Sequence, residues 1–185
     1  YKHLLAADFI VLSDTANFDT GVPALTYQLR GIVQVDVEVK VLDHPVHSGM
    51  WGGPVPDPVQ VLADLIADLR NKDGSLNIPG LYKDVAKPSK KQLKRIRSLP
   101  FDEKKFKKDA GMTKGTKLWG EKDYSVYEQI WTRPSLTVIA TESHEFAGSS
   151  NQIVDSARAR LSLRTVPDMD GRKAGEQLVK KLTKK

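Results

Sequence analysis

The chain has 185 residues, 39% hydrophobic and 28% charged, which is enough apolar side chain for a real core and too little charge bias for disorder. It contains no cysteine, and that excludes a disulfide framework, a cysteine-ligated zinc site and a thiol nucleophile. The 29 basic against 23 acidic residues give a net charge of +6, while four histidines, at 3, 44, 47 and 144, are too scattered for a local metal cage.

No apolar run approaches the roughly 18 residues of a membrane span. The chain opens on Tyr1, and residues 9–12 are too short for a signal-peptide core, so a mature, processed or cut fragment is expected. Within residues 8–13, Phe9, Ile10, Val11 and Leu12 are continuously apolar. That is the pattern of a short strand covered on both faces, and it places Asp14 at the strand's C-terminal end.

The strongest periodic signal lies in residues 25–42, where Val33, Val35, Val37, Val39 and Val41 alternate with Gln34, Asp36, Glu38 and Lys40. Period two with one polar side predicts a long antiparallel strand. Residues 44–56 carry three glycines and three prolines and read as an irregular loop. Asp57-Pro58 then supplies an N-cap and a first-turn proline, with Val61, Leu62, Leu65, Ile66 and Leu69 as the apolar stripe of a helix.

Residues 83–117 hold 13 basic and 4 acidic residues with few large apolar ones, and short helices and loops of an insertion are expected there. Residues 135–140 and 157–166 read as two further strands. In the second, Ala157, Ala159, Leu161 and Leu163 face one way and Arg158, Arg160, Ser162 and Arg164 the other. A last helix carries Ala174, Leu178 and Leu182 on one stripe and ends in Lys184-Lys185. With 6 basic and 1 acidic residue, 172–185 is the second positive block, so the rest of the chain is acidic and the positive balance reads as solvated faces. The expected fold class is α+β: a two-layer sandwich in which a four-stranded antiparallel sheet is covered on one face by two helices, ferredoxin-like, with a Lys-rich insertion.

Five residues are weighed as candidates for chemistry. Asp14 offers a hard oxygen ligand that suits zinc or manganese, or it is simply a loop or N-cap aspartate. His47 sits in His47-Ser48-Gly49-Met50-Trp51-Gly52-Gly53, where glycines let the backbone approach a ligand and an imidazole can donate to a developing oxyanion; otherwise it is a surface histidine beside a flexible turn. His44 could share a metal with it, although Pro45 argues against a helical arrangement. Arg164 could clamp a carboxylate in bidentate fashion or be merely solvated, and Asn151 is a turn residue or a hydrogen-bond donor to substrate. No nucleophile elbow and no phosphate-cradling glycine loop is present.

Taken in order, Ser13-Asp14, Pro23-Ala24-Leu25-Thr26-Tyr27-Gln28-Leu29-Arg30-Gly31, His47 to Gly53, Asn77-Ile78-Pro79-Gly80-Leu81-Tyr82, Arg133-Pro134-Ser135-Leu136 and Leu161-Ser162-Leu163-Arg164-Thr165-Val166-Pro167 resemble the zinc exopeptidases of the carnosinase, aminoacylase and succinyl-diaminopimelate desuccinylase superfamily, the carnosinase-like dipeptidases above all. The resemblance implies a two-domain enzyme: a catalytic domain with two zinc ions (Zn2+) and a smaller inserted lid that dimerises. Residues 1–20 would then be a remnant of the catalytic domain and 21–185 the lid, with a basic insertion at 83–122. It further implies that Asp14 is a zinc ligand, that His47 reaches across a homodimer to stabilise the tetrahedral intermediate, that Arg164 binds the substrate's terminal carboxylate, and that Asn151 also acts across the dimer. The implied partners are a second copy, the catalytic domain of the same polypeptide, and a dipeptide or N-acyl amino acid substrate, in the cytoplasm, with neither membrane nor nucleic acid.

The family's His-x-Asp motif, Glu-Glu pair and last ligand histidine do not occur in these 185 residues, so the chain alone is expected to be inactive. It also reads Gln152-Ile153-Val154-Asp155 where the family often has a Val-Ile-Pro turn. The competing class is a free-standing basic module that binds nucleic acid, which calls for aromatic residues among the basic ones on a sheet face.

Overall fold

A computed structural model describes residues 2–9, 11 and 17–184. The first long element is β1 (Gly31–Lys40), followed by the two-residue β2 (Val46–His47), the one-turn α1 (Ser48–Trp51) and α2 (Pro58–Ala67). Three short helices come next, α3 (Lys90–Arg97), α4 (Glu103–Asp109) and α5 (Val126–Thr132). The chain then runs through β3 (Ser135–Glu142), β4 (Gln152–Ile153), β5 (Ser156–Thr165) and α6 (Gly171–Leu182). Single 3-10 turns occur at Lys2–Leu4 and Leu81–Asp84.

The main sheet is antiparallel with order β1-β5-β3, so β5 is central. Its register sets Val33, Val35, Val37 and Val39 opposite Leu163, Leu161, Ala159 and Ala157, which puts every one of these side chains on one face. Helices α2 and α6 cover that face. Leu62, Leu69, Ala174, Leu178 and Leu182 meet Leu161 and Leu163, both 0% exposed, in a single core. Burying each such leucine contributes about 1.5–3 kcal/mol. Gly175 lets α6 lie close to the sheet, because a Cβ there would stand 3.0 Å from Val33.

Local chemistry explains the helix starts. Asp57 caps α2 by accepting from the backbone N–H groups of Val59 and Gln60, with Pro58 at the first turn. Ser89-Gln92 and Ser125-Glu128 form capping boxes on α3 and α5, and Asp102 and Asp170 cap α4 and α6.

Two expectations change. The four strands expected in one sheet are three among the described residues, and β2 and β4 form a separate two-stranded ribbon. The Gly- and Pro-rich course around β2 prevents a longer ladder. Residues 8–13, expected as a buried strand, include Phe9 and Val11 outside any strand and 89% and 91% exposed. An apolar run is buried only where a partner surface covers it. Ile10, Leu12, Ser13 and Asp14 lie outside the described residues.

Candidate functional site

The ribbon brings two of the candidate residues together. Val46 and His47 of β2 pair with Ile153 and Gln152 of β4, and buried Ile153 anchors the ribbon. The next backbone bond runs from the N–H of Ser48 to the carbonyl of Asn151, at 2.9 Å. His47 and Asn151 therefore sit on neighbouring segments of one small platform, both exposed.

His47 is oriented by the turn it starts. Its Nδ1 accepts from the backbone N–H of Gly49 at 3.1 Å, capping α1. An Nδ1 that accepts carries no proton, so in the neutral ring the proton is on Nε2, the nitrogen at the far edge of the imidazole. Gly49 makes this possible, since a Cβ there would stand 2.8 Å from His47 Cε1. The arrangement is a fixed imidazole that offers an Nε2–H donor of the kind that stabilises developing negative charge. His44 does not join it: its Nδ1 contacts the Asp43 carboxylate.

Arg164 lies elsewhere, on the polar face of β5, flanked in register by Ile32 of β1 and Ser135 of β3. The other two arginines of that strand are neutralised. Arg158 donates to both oxygens of Glu142 at 2.8 Å, and Arg160 to both oxygens of Asp36 at 2.7 Å. Hydrogen bonds from Arg160 hold the Asp36 carboxyl below the usual range. The Arg164 side chain makes no hydrogen bond or ion pair among the described residues, which leaves a guanidinium fork free to grip a carboxylate.

A buried polar network connects two further motif segments. Glu121 accepts from Arg133 Nε at 2.9 Å and from the Tyr82 hydroxyl at 3.0 Å, and Tyr82 in turn accepts from the backbone N–H of Leu76. The Arg133 guanidinium lies between the rings of Tyr82 and Tyr124, 4.5 and 4.4 Å from their centroids. Burial pushes the Tyr82 phenol up to about 12. A second buried carboxylate, Glu128, accepts from Arg97 of α3 at 2.8 and 3.1 Å and ties that basic helix to α5. Reading the sequence missed Glu121 and Glu128 as structural partners. The Ser125-x-x-Glu128 capping box was the one local signal available, and nothing local marks Glu121.

Asp14 lies outside the described residues. Among the described residues no group of three or more His, Asp and Glu side chains converges to hold a metal ion. A catalytic zinc centre takes three protein ligands and an open position, so these residues by themselves do not fit one.

Known proteins share the sequence pattern and the fold of this chain. Residues 27–185 match the family described as the Peptidase dimerisation domain of the M20 peptidases. The cysteinylglycine-S-conjugate dipeptidase of Corynebacterium striatum is 33% identical over 161 residues, 87% of this chain and 33% of that protein. The human Beta-Ala-His dipeptidase is 27% identical over 176 residues, 95% of this chain and 34% of that protein. Among solved structures, the M20 family metallo-carboxypeptidase Sso-CP2 from Sulfolobus solfataricus superposes with a TM-score of 0.81 at 26% identity, covering 98% of this chain and 47% of that one. Human carnosine dipeptidase 1 gives a TM-score of 0.72 at 25% identity over 86% of this chain and 34% of that one. The chain thus spans about a third of the length of the curated relatives it matches. By its sequence, its sheet and its covering helices, this chain belongs to the M20 peptidase family, within which residues 27–185 are the dimerisation domain.

Proposed function

We propose that the chain is the lid and dimerisation domain of a two-zinc metallopeptidase that hydrolyses dipeptides or N-acyl amino acids, and that it has no activity alone. The observation that carries this reading is the hydrogen bond from the Gly49 N–H to Nδ1 of the exposed His47, which in the neutral ring leaves the proton on Nε2 to be donated to an oxyanion. In the assembled homodimer His47 and Asn151 act on the partner's site, and Arg164 binds the substrate carboxylate. The zinc ions belong outside the described residues, with Asp14 as the candidate ligand from this chain. The ferredoxin-like sheet of four strands would arise by adding one strand along the outer edge of β1, which is unpaired among the described residues. Residues 1–20 are assigned to the catalytic domain and 83–122 to a basic insertion.

The polar face of the sheet supports a peptidase over a nucleic-acid module. Arg158 and Arg160 are already paired with carboxylates, and no aromatic side chain stands on the described strands to stack a base. We further propose that the enzyme is cytoplasmic. No helix among the described residues is long and apolar enough to cross a membrane.

The test is complementation in the intact protein that carries this chain. Asp14→Ala and His47→Ala variants, each inactive, are dissociated, mixed and reassociated. If His47 serves the partner's site, each mixed dimer holds one complete site, and random pairing restores about a quarter of wild-type activity. Activity that stays at the level of the two separate variants refutes action across the dimer.

A further inference from the structure

The polar face of the main sheet carries a second arginine without a counter-charge. Arg30 precedes β1, and the register from Gly31↔Thr165 and Ile32↔Arg164 brings it to the end of the sheet where Arg164 stands. Gly31 tightens this approach, because a Cβ there would collide with the Thr165 hydroxyl. Like Arg164, Arg30 makes no side-chain hydrogen bond or ion pair among the described residues. The two carboxylates bound to arginines of this face, Asp36 and Glu142, are each occupied through both oxygens by Arg160 and Arg158.

Loss of hydration first, and the Arg164 charge second, hold the Arg30 guanidinium below its ordinary value. Two neighbouring guanidiniums that repel one another and lack a carboxylate are relieved by an anion placed between them. Ile32 and Ser135, directly opposite Arg164 on either side, give that anion one apolar and one hydroxyl neighbour.

We propose that Arg30 is the second guanidinium of the carboxylate site on Arg164, so that the terminal carboxylate of a peptide or acyl amino acid is held between two arginines from different strand ends. This rests on the reading of Arg164 given above. It makes Arg30 a determinant of selectivity for substrates with a free carboxylate over their amides, since an amide gains nothing from a second positive charge.

The experiment uses the 185-residue chain labelled with 15N, followed by the side-chain Nε–H signals of its arginines near pH 6. The probe is N-acetyl-alanine, with N-acetyl-alaninamide as the uncharged comparison. Arg158 and Arg160, already paired, serve as internal controls. The expected result is that Arg30 and Arg164 shift together with one Kd on adding the acid, that the amide moves neither, and that Arg30→Ala weakens the Arg164 response about tenfold. If Arg164 responds alone and Arg30→Ala leaves its Kd unchanged, the role of Arg30 is overturned while the reading of Arg164 stands. If Arg164 does not respond, or all four arginines respond alike, the reading of Arg164 fails and the paired site falls with it.

Discussion

Removing the carboxylate of Glu121 tests the network that joins Tyr82 to Arg133. Its side chain is 10% exposed and that of Arg133 17%, so the pair is largely shielded from solvent. In Glu121→Gln one amide oxygen can still accept from Arg133, but the ion pair, at 2.7 Å from Nη2, is lost. The amide nitrogen then faces the Tyr82 hydroxyl, which already accepts from Leu76, and the phenolic proton loses its acceptor. An orphaned buried donor costs about 1–3 kcal/mol and an uncompensated, partly buried arginine a similar amount, for a total of about 3 kcal/mol. In a chain of this length that lowers the melting temperature by on the order of 10 °C. Urea unfolding of the chain followed by tryptophan fluorescence measures it. Because the two residues touch, Glu121→Ala combined with Arg133→Ala should cost less than the sum of the single changes, with a coupling of about 2 kcal/mol. If Glu121→Gln stays within about 0.5 kcal/mol of wild type, or the double change is additive, the network does not hold these segments together.

Three other outcomes follow from the same structure. Tyr82, raised to about 12 by burial, favours the fold while its phenol is neutral, so its contribution is complete below pH 10 and lost as pH rises toward 12. Ultraviolet titration should show a late phenol that vanishes in Tyr82→Phe, and a titration curve left unchanged by Tyr82→Phe at its alkaline end would contradict this. Gly49→Ala should displace the imidazole, so that 15N spectra of His47 change from the single Nε2–H tautomer to a mixture while unfolding free energy changes by less than about 1 kcal/mol; an unchanged tautomer would sever the link to Gly49. Leu178→Ala, at a side chain 0% exposed between the sheet and α6, should cost about 3–4 kcal/mol in urea unfolding, and a loss below about 1 kcal/mol would mean the site is not core.

The elements that repeat locally were legible in the sequence. Alternating valines announced β1, the stripe of Leu62, Leu65, Ile66 and Leu69 announced α2, and Asp57-Pro58 marked where it starts. The order of the motifs pointed to the M20 family and implied roles for His47, Asn151 and Arg164, which their local pattern had already singled out, although only the fold brought His47 and Asn151 onto one ribbon. The Lys-rich stretch read as short helices and loops of an insertion, and α3 and α4 lie in it, but nothing local showed that Arg97 ties α3 to buried Glu128.

What the sequence determined by itself was the set of strands and helices with a local period, and which of their faces is apolar. Tertiary structure decided which of the charges that pair across the fold are neutralised. Arg160 meets Asp36 across 124 positions, Arg97 meets Glu128 across 31 and Arg133 meets Glu121 across 12. Arginines four and six residues apart on one strand therefore end in opposite states, Arg158 and Arg160 paired and Arg164 free. The period of a strand assigns them all to the same face, and only the register of the neighbouring strands supplies or withholds a carboxylate.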